Sequence, residues 1–93
     1  MNLESLVTKY IGVTEEVLGE MQREESPVTV SDAQTTKVLD YVIAYLEDAK
    51  YYKVKKRFEV SLTSIAYCEG LLDALRLIGA VSFQWPKNMK RKK

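Results

Sequence analysis

Apolar residues recur at three- and four-residue steps along most of the chain, and the breaks in that rhythm divide it into three helices. Leu3, Leu6, Val7, Tyr10, Ile11, Val17, Leu18 and Met21 follow this spacing with acids and a lysine between them, which predicts an amphipathic helix over about residues 2–24. Gly12 lies inside it and costs about 1 kcal/mol relative to alanine, so a bend or a close helix contact is expected there. The run Ser26-Pro27-Val28-Thr29-Val30 breaks the pattern. Proline disfavours helix at the residue before it, and β-branched side chains favour extended backbone. Ser31-Asp32-Ala33-Gln34 then has the spacing of a capping box, which predicts that a second helix starts here and runs over 32–54.

On the second helix Val38, Leu39, Val42, Leu46 and Ala49 share one face, with Lys37, Asp40 and Glu47 opposite. Tyr41, Tyr45 and Tyr52 line one edge of that stripe, where a tyrosine closes a core rim with its hydroxyl in water, and Tyr51 turns to the polar side. Lys53-Val54-Lys55-Lys56-Arg57 has no apolar period and predicts a frayed helix end and a tight turn. The third helix is expected over 58–78. It carries one stripe of Phe58, Leu62, Ile65, Cys68, Leu72 and Leu75 and a second of Val60, Tyr67, Leu71, Ala74 and Ile78. Together they span an arc of more than about 180°, which calls for two helical neighbours, or one neighbour and a partner protein. Gly79 stands where a left-handed helix terminator is expected. The pattern predicts an all-α, three-helix bundle in one domain over 1–86, with a short extended aromatic segment at its end and a disordered basic tail over 87–93.

Ninety-three residues, 46% hydrophobic and 29% charged, suit a single globular core. No apolar run approaches the roughly 20 residues of a membrane span, and Met1-Asn2-Leu3-Glu4 lacks the features of a signal peptide, so a cytoplasmic location without membrane contact is expected. The single cysteine, Cys68, falls in an apolar pattern and reads as core packing. The formal charge of +1 conceals an asymmetry. Residues 1–48 hold ten acids and three bases, a net of −7, whereas residues 49–93 hold three acids and eleven bases, a net of +8. Such a split steers association with charged partners.

Candidate chemistry is sparse. The chain has no histidine, the commonest general base and metal ligand, and no glycine-rich phosphate loop. Glu69, Asp73 and Arg76 share a face by their spacing, which is read first as an intrahelical ion pair beside a solvated acid. A magnesium site would need further oxygens, from Asp48 or Asp40. No enzymatic activity, cofactor or metal is therefore expected. The alternative is a small-ligand or metal-dependent enzyme built on Asp48, Glu69, Asp73 and the tyrosines. Two basic groups can meet phosphates without reading bases: Lys53, Lys55, Lys56 and Arg57 beside Lys50 in the turn, and Lys90, Arg91 and Lys92 in the tail beside Lys87 and Lys93. In Val81-Ser82-Phe83-Gln84-Trp85-Pro86, two aromatics alternate on an extended segment, which either anchors a partner or folds back over the core.

Asp48-Ala49-Lys50-Tyr51-Tyr52, Phe58, Ile65 through Ala74 (Ile-Ala-Tyr-Cys-Glu-Gly-Leu-Leu-Asp-Ala) and Gly79 resemble an archaeal domain-of-unknown-function family, number 357. The similarity covers about a third of the chain and implies a small helical bundle of archaeal origin. The family often has Gly-Asp where this chain has Lys56-Arg57, and histidine where it has Glu69. Length, helical pattern, charge split and basic tail are also similar to those of small accessory subunits of crenarchaeal B-family DNA polymerases. These features lead to the expectation of a non-catalytic accessory subunit in DNA replication. It would dock on a larger protein, such as a DNA polymerase, through Tyr67, Leu71, Ala74, Ile78, Phe83 and Trp85, with weak DNA contact from the basic residues. A homodimer formed through the surplus apolar arc is the third reading.

Overall fold

The computed structural model describes residues 2–87, and these form three α-helices and no strand. The all-α class is as the apolar rhythm predicts. Helix α1 spans Leu3–Glu20, α2 spans Asp32–Val54 and α3 spans Phe58–Leu77. Asn2 caps α1 by accepting from the Ser5 amide at 2.7 Å. That helix ends at Glu20, short of the predicted 24, with Met21 already extended. Its last turn has no basic residue, and Glu20, Glu24 and Glu25 crowd the negative end of the helix dipole, which disfavours further turns. The capping box at α2 is present as expected. Ser31 Oγ accepts from the Gln34 amide at 3.1 Å, and Gln34 Oε1 accepts from the Ser31 amide at 2.9 Å.

The packing is uneven. Helices α2 and α3 form a close antiparallel pair, while α1 makes no close backbone contact with either. The seam of the pair is built from small side chains. Val42 and Ala49 of α2 are buried against Ser64, Cys68 and Leu75 of α3, and Leu75 is only 3% exposed. Two side chains of α3 donate across the seam to carbonyls of α2: Ser61 Oγ to Ala49 O at 2.7 Å and Cys68 Sγ to Val42 O at 3.3 Å. Tyr45 and Tyr67 close one rim edge-to-face, with ring centroids 4.5 Å apart. Burial pushes the Cys68 thiol above its ordinary pKa, because the desolvated site disfavours the thiolate.

Both helices of the pair end in the same hydrogen-bonded motif. Beyond α3, Gly79 takes φ +80°, its amide donates to Arg76 O, and the Ala80 amide donates to Leu75 O at 2.9 Å. Beyond α2, Lys56 takes φ +61°, its amide donates to Lys53 O, and the Arg57 amide donates to Tyr52 O at 2.9 Å. Each satisfies two carbonyls that the helix leaves open. The Gly12 expectation of a close contact fails, since a Cβ there would have nothing within 4 Å. Among the described residues, no helix is long and apolar enough to cross a membrane.

Candidate interaction surface

The residues expected to bind a protein partner fall on two flanks of α3. At 100° per residue, Tyr67, Ala74 and Ile78 lie within about 40° of one another, on the side next to the Tyr45 rim. Tyr67, Ala74 and Ile78 are exposed, Ile78 at 61%, and Leu71 is half-buried between them and the seam. Phe83 and Trp85 are on the other flank. After the Gly79 turn the chain runs back along α3, and Trp85 Nε1 donates to Asp73 Oδ1 at 3.1 Å. Arg76 donates to the same oxygen through Nε at 3.1 Å and Nη2 at 2.7 Å. Phe83 packs edge-to-face on Trp85, with centroids 5.0 Å apart, and both rings are half-buried. Of the two outcomes open for this segment, folding back is the one observed.

Asp73 is therefore committed to a cation and an indole at once, which the spacing of Glu69, Asp73 and Arg76 foreshadowed only in part. Among the described residues, no three histidine, cysteine, aspartate or glutamate side chains come close enough together to hold a metal ion.

The α2–α3 turn gathers the first basic group. Lys53, Lys55, Lys56 and Arg57 are all exposed at this tip. Lys55 Nζ lies 5.5 Å over the Tyr51 ring and Arg57 lies 5.6 Å over the Tyr52 ring, and the two rings meet edge-to-face. The tyrosines thus hold two of the four cations outward. Lys50, one turn behind, pairs with Glu47 at 3.6 Å. Lys90, Arg91 and Lys92 lie outside the described residues.

The apolar periodicity of α1 predicts an amphipathic face without saying what covers it. Its apolar side chains are uncovered: Leu3 is 71%, Ile11 55% and Leu18 65% exposed. An open groove of about 600 Å³ separates Leu3, Leu6, Val7, Tyr10 and Ile11 from Thr63 of α3.

The model of a protein family, described as a protein of unknown function (DUF357), matches residues 9–81. The chain belongs to this family. The match takes in most of α1, all of α2 and α3 and the Gly79 turn, while Phe83 and Trp85 fall beyond it. No curated protein and no solved structure matches this DUF357 chain.

Proposed function

We propose that this DUF357 protein is a non-catalytic interaction subunit that docks on a larger protein through the open flank of α3, while its basic turn approaches nucleic acid. The observation that carries this reading is the exposure of Tyr67, Ala74 and Ile78 together on one flank of a helix whose opposite side is seamed to α2. Exposed aromatic and aliphatic residues on one rigid face are the material of binding hot spots. Asp73, on which an enzymatic reading would depend, is occupied by Arg76 and Trp85. The four cations at the tip add a surface suited to phosphate and to no particular base.

An archaeal B-family DNA polymerase is the partner to test first, because small accessory subunits of such enzymes have this size, helical content and charge split. The measurement is interferometry of the purified full chain against that polymerase. Micromolar or tighter binding is expected, weakened at least tenfold by Ile78→Asp with the α2–α3 pair still folded. No binding removes the polymerase from the reading. If affinity capture from archaeal extract also recovers the same proteins with native chain and Ile78→Asp, the interaction-subunit reading itself fails.

A further inference from the structure

Helix α1 has a continuous apolar side with nothing on it. On a helical projection its eight large apolar residues occupy an arc of about 160°, and every charged residue lies outside that arc. Such a helix does not hold itself together in water. It has 18 residues, of which two are glycine and six are β-branched, and isolated helices near this length are marginal even when rich in alanine. Something must cover it.

The molecule as a whole has room for a cover of substantial area. The chain exposes 8501 Å², where a compact monomer of 10.7 kDa exposes about 5,500 Å². Its radius of gyration is 15.8 Å, against about 12 Å for a compact domain of this length. The surplus, about 3,000 Å² per chain by these relations and partly owed to the exposed linker, is more than the roughly 1,000–2,500 Å² that each partner buries in an obligate homodimer interface.

The chain also carries a surface that fits α1. The side of α3 turned away from α2 presents Leu62, Thr63, Ala66, Gly70 and Leu77, with Leu62 and Leu77 about 70% exposed and open space where a Cβ on Gly70 would be. Thr63, Ala66 and Gly70, small residues between Leu62 and Leu77, leave room for the large side chains of α1. The helices match in length, since 18 and 20 residues span about 27 and 30 Å at the α-helical rise. Charge fits at the tip: residues 2–31 carry six acids and two bases and the α3 N-terminus adjoins the basic tip, while of the acids on the receiving side Asp73 is paired with Arg76 and Trp85, and Glu59 stands in the first turn. The acidic polar side of α1 argues against an anionic lipid surface as the cover, because like charges repel there.

We propose that α1 covers α3 of a second copy, the two chains exchanging their N-terminal helices about a two-fold axis. The linker from Met21 to Ser31 allows this. It is exposed and non-helical throughout, and 11 residues reach roughly 36 Å when extended. Because each chain holds both an acidic apolar arm and a basic-tipped receiving face, one arrangement satisfies both copies, as an isologous interface requires. The proposal deepens the interaction-subunit reading by assigning the outer face of α3 to self-association, leaving the Tyr67–Ile78 flank for another protein.

Light scattering of the full chain, joined to a cross-link, tests it. A dimer of roughly 21 kDa, twice 10.7 kDa, is expected. In Ile11→Cys/Thr63→Cys, oxidation should give a covalent dimer on a non-reducing gel, with buried Cys68 left free. Val7→Glu/Ile11→Glu should yield a monomer whose α2–α3 pair still unfolds cooperatively. A monomeric native chain overturns the exchange, and so does a disulfide formed only within one chain. A dimer with no cross-link overturns it too, since another face would then be in contact. Each of these leaves the effect of Ile78→Asp on polymerase binding as the separate judge of the interaction-subunit reading.

Discussion

Lys56 and Gly79 occupy the same position in two copies of one helix-ending motif, and only glycine suits it. A side chain at φ near +60° crowds its own backbone, at about 1–2 kcal/mol for an L-residue. Glycine gives back part of that through its freer unfolded state. Lys56→Gly should therefore stabilise the protein by about 1 kcal/mol, read as a rise of about 5 °C in the thermal midpoint. Gly79→Ala should lower stability by a similar amount. Arg57, the N-cap of α3, makes no side-chain cap hydrogen bond, so Arg57→Asp should add about 1 kcal/mol. Both stabilising changes remove a cation from the tip, and neither should strengthen phosphate binding. Cys68 makes a different prediction. Its folded pKa lies above the ordinary thiol value of 9.0, so the folded state holds the proton longer than the unfolded one. Its contribution is full below pH 9 and is lost as pH rises through the folded value. Denaturant titrations of native chain and Cys68→Ala should diverge least above that range; a constant difference at all pH values would refute the shift.

At the scale of the helices, the α2–α3 seam shows what periodicity conveys and what it leaves out. The capping box at Ser31 and the glycine stop at Gly79 were legible, because each is a local rule with its own hydrogen bonds. The rotation of α3 was not. Cys68 and Leu75 of the first stripe do lie in the seam, but Ser64 shares it with Ser61 beside them, and a search for large apolar residues passes over serines. Small side chains there let the helices approach until α3 hydroxyl and thiol groups reach α2 carbonyls. Ser64→Leu, which strengthens the apolar pattern, should consequently destabilise the protein by about 1–3 kcal/mol through overpacking. A gain in stability in urea titration would refute the small-residue seam. The same limit applies to the site: Trp85 and Asp73 are 12 residues apart across a turn, and no local rule pairs them, whereas the basic tip is contiguous and was read directly. For α1 the periodicity was correct, and amphipathicity says that a face is covered and not by what. A peptide of residues 2–22 should be largely unstructured by circular dichroism at micromolar concentration. A strongly helical monomeric peptide would remove the need for a cover.

For the whole molecule, six of the ten acids in residues 1–48 lie on the α1 arm and linker, while four cations gather at the α2–α3 tip. Two kinds of anion then compete for one tip: the glutamates of an arm and the phosphates of a nucleic acid. Salt separates their contributions. If Lys53, Lys55, Lys56 and Arg57 each meet one phosphate, log affinity for duplex DNA falls against log salt with a slope of about −3.6, or about 10²-fold between 50 and 200 mM. Anisotropy of a labelled duplex measures this, and two unrelated sequences should bind alike, since no base-reading group stands at the tip. Lys55→Ala should flatten the slope by about 1. Neutralising the arm, as in Glu15→Gln/Glu16→Gln, removes no phosphate contact and should raise affinity while leaving the slope set by the four cations. A duplex that binds equally at both salt concentrations, or an arm variant that weakens binding, would mean that the cations at the tip serve the protein's own acids and not a nucleic acid.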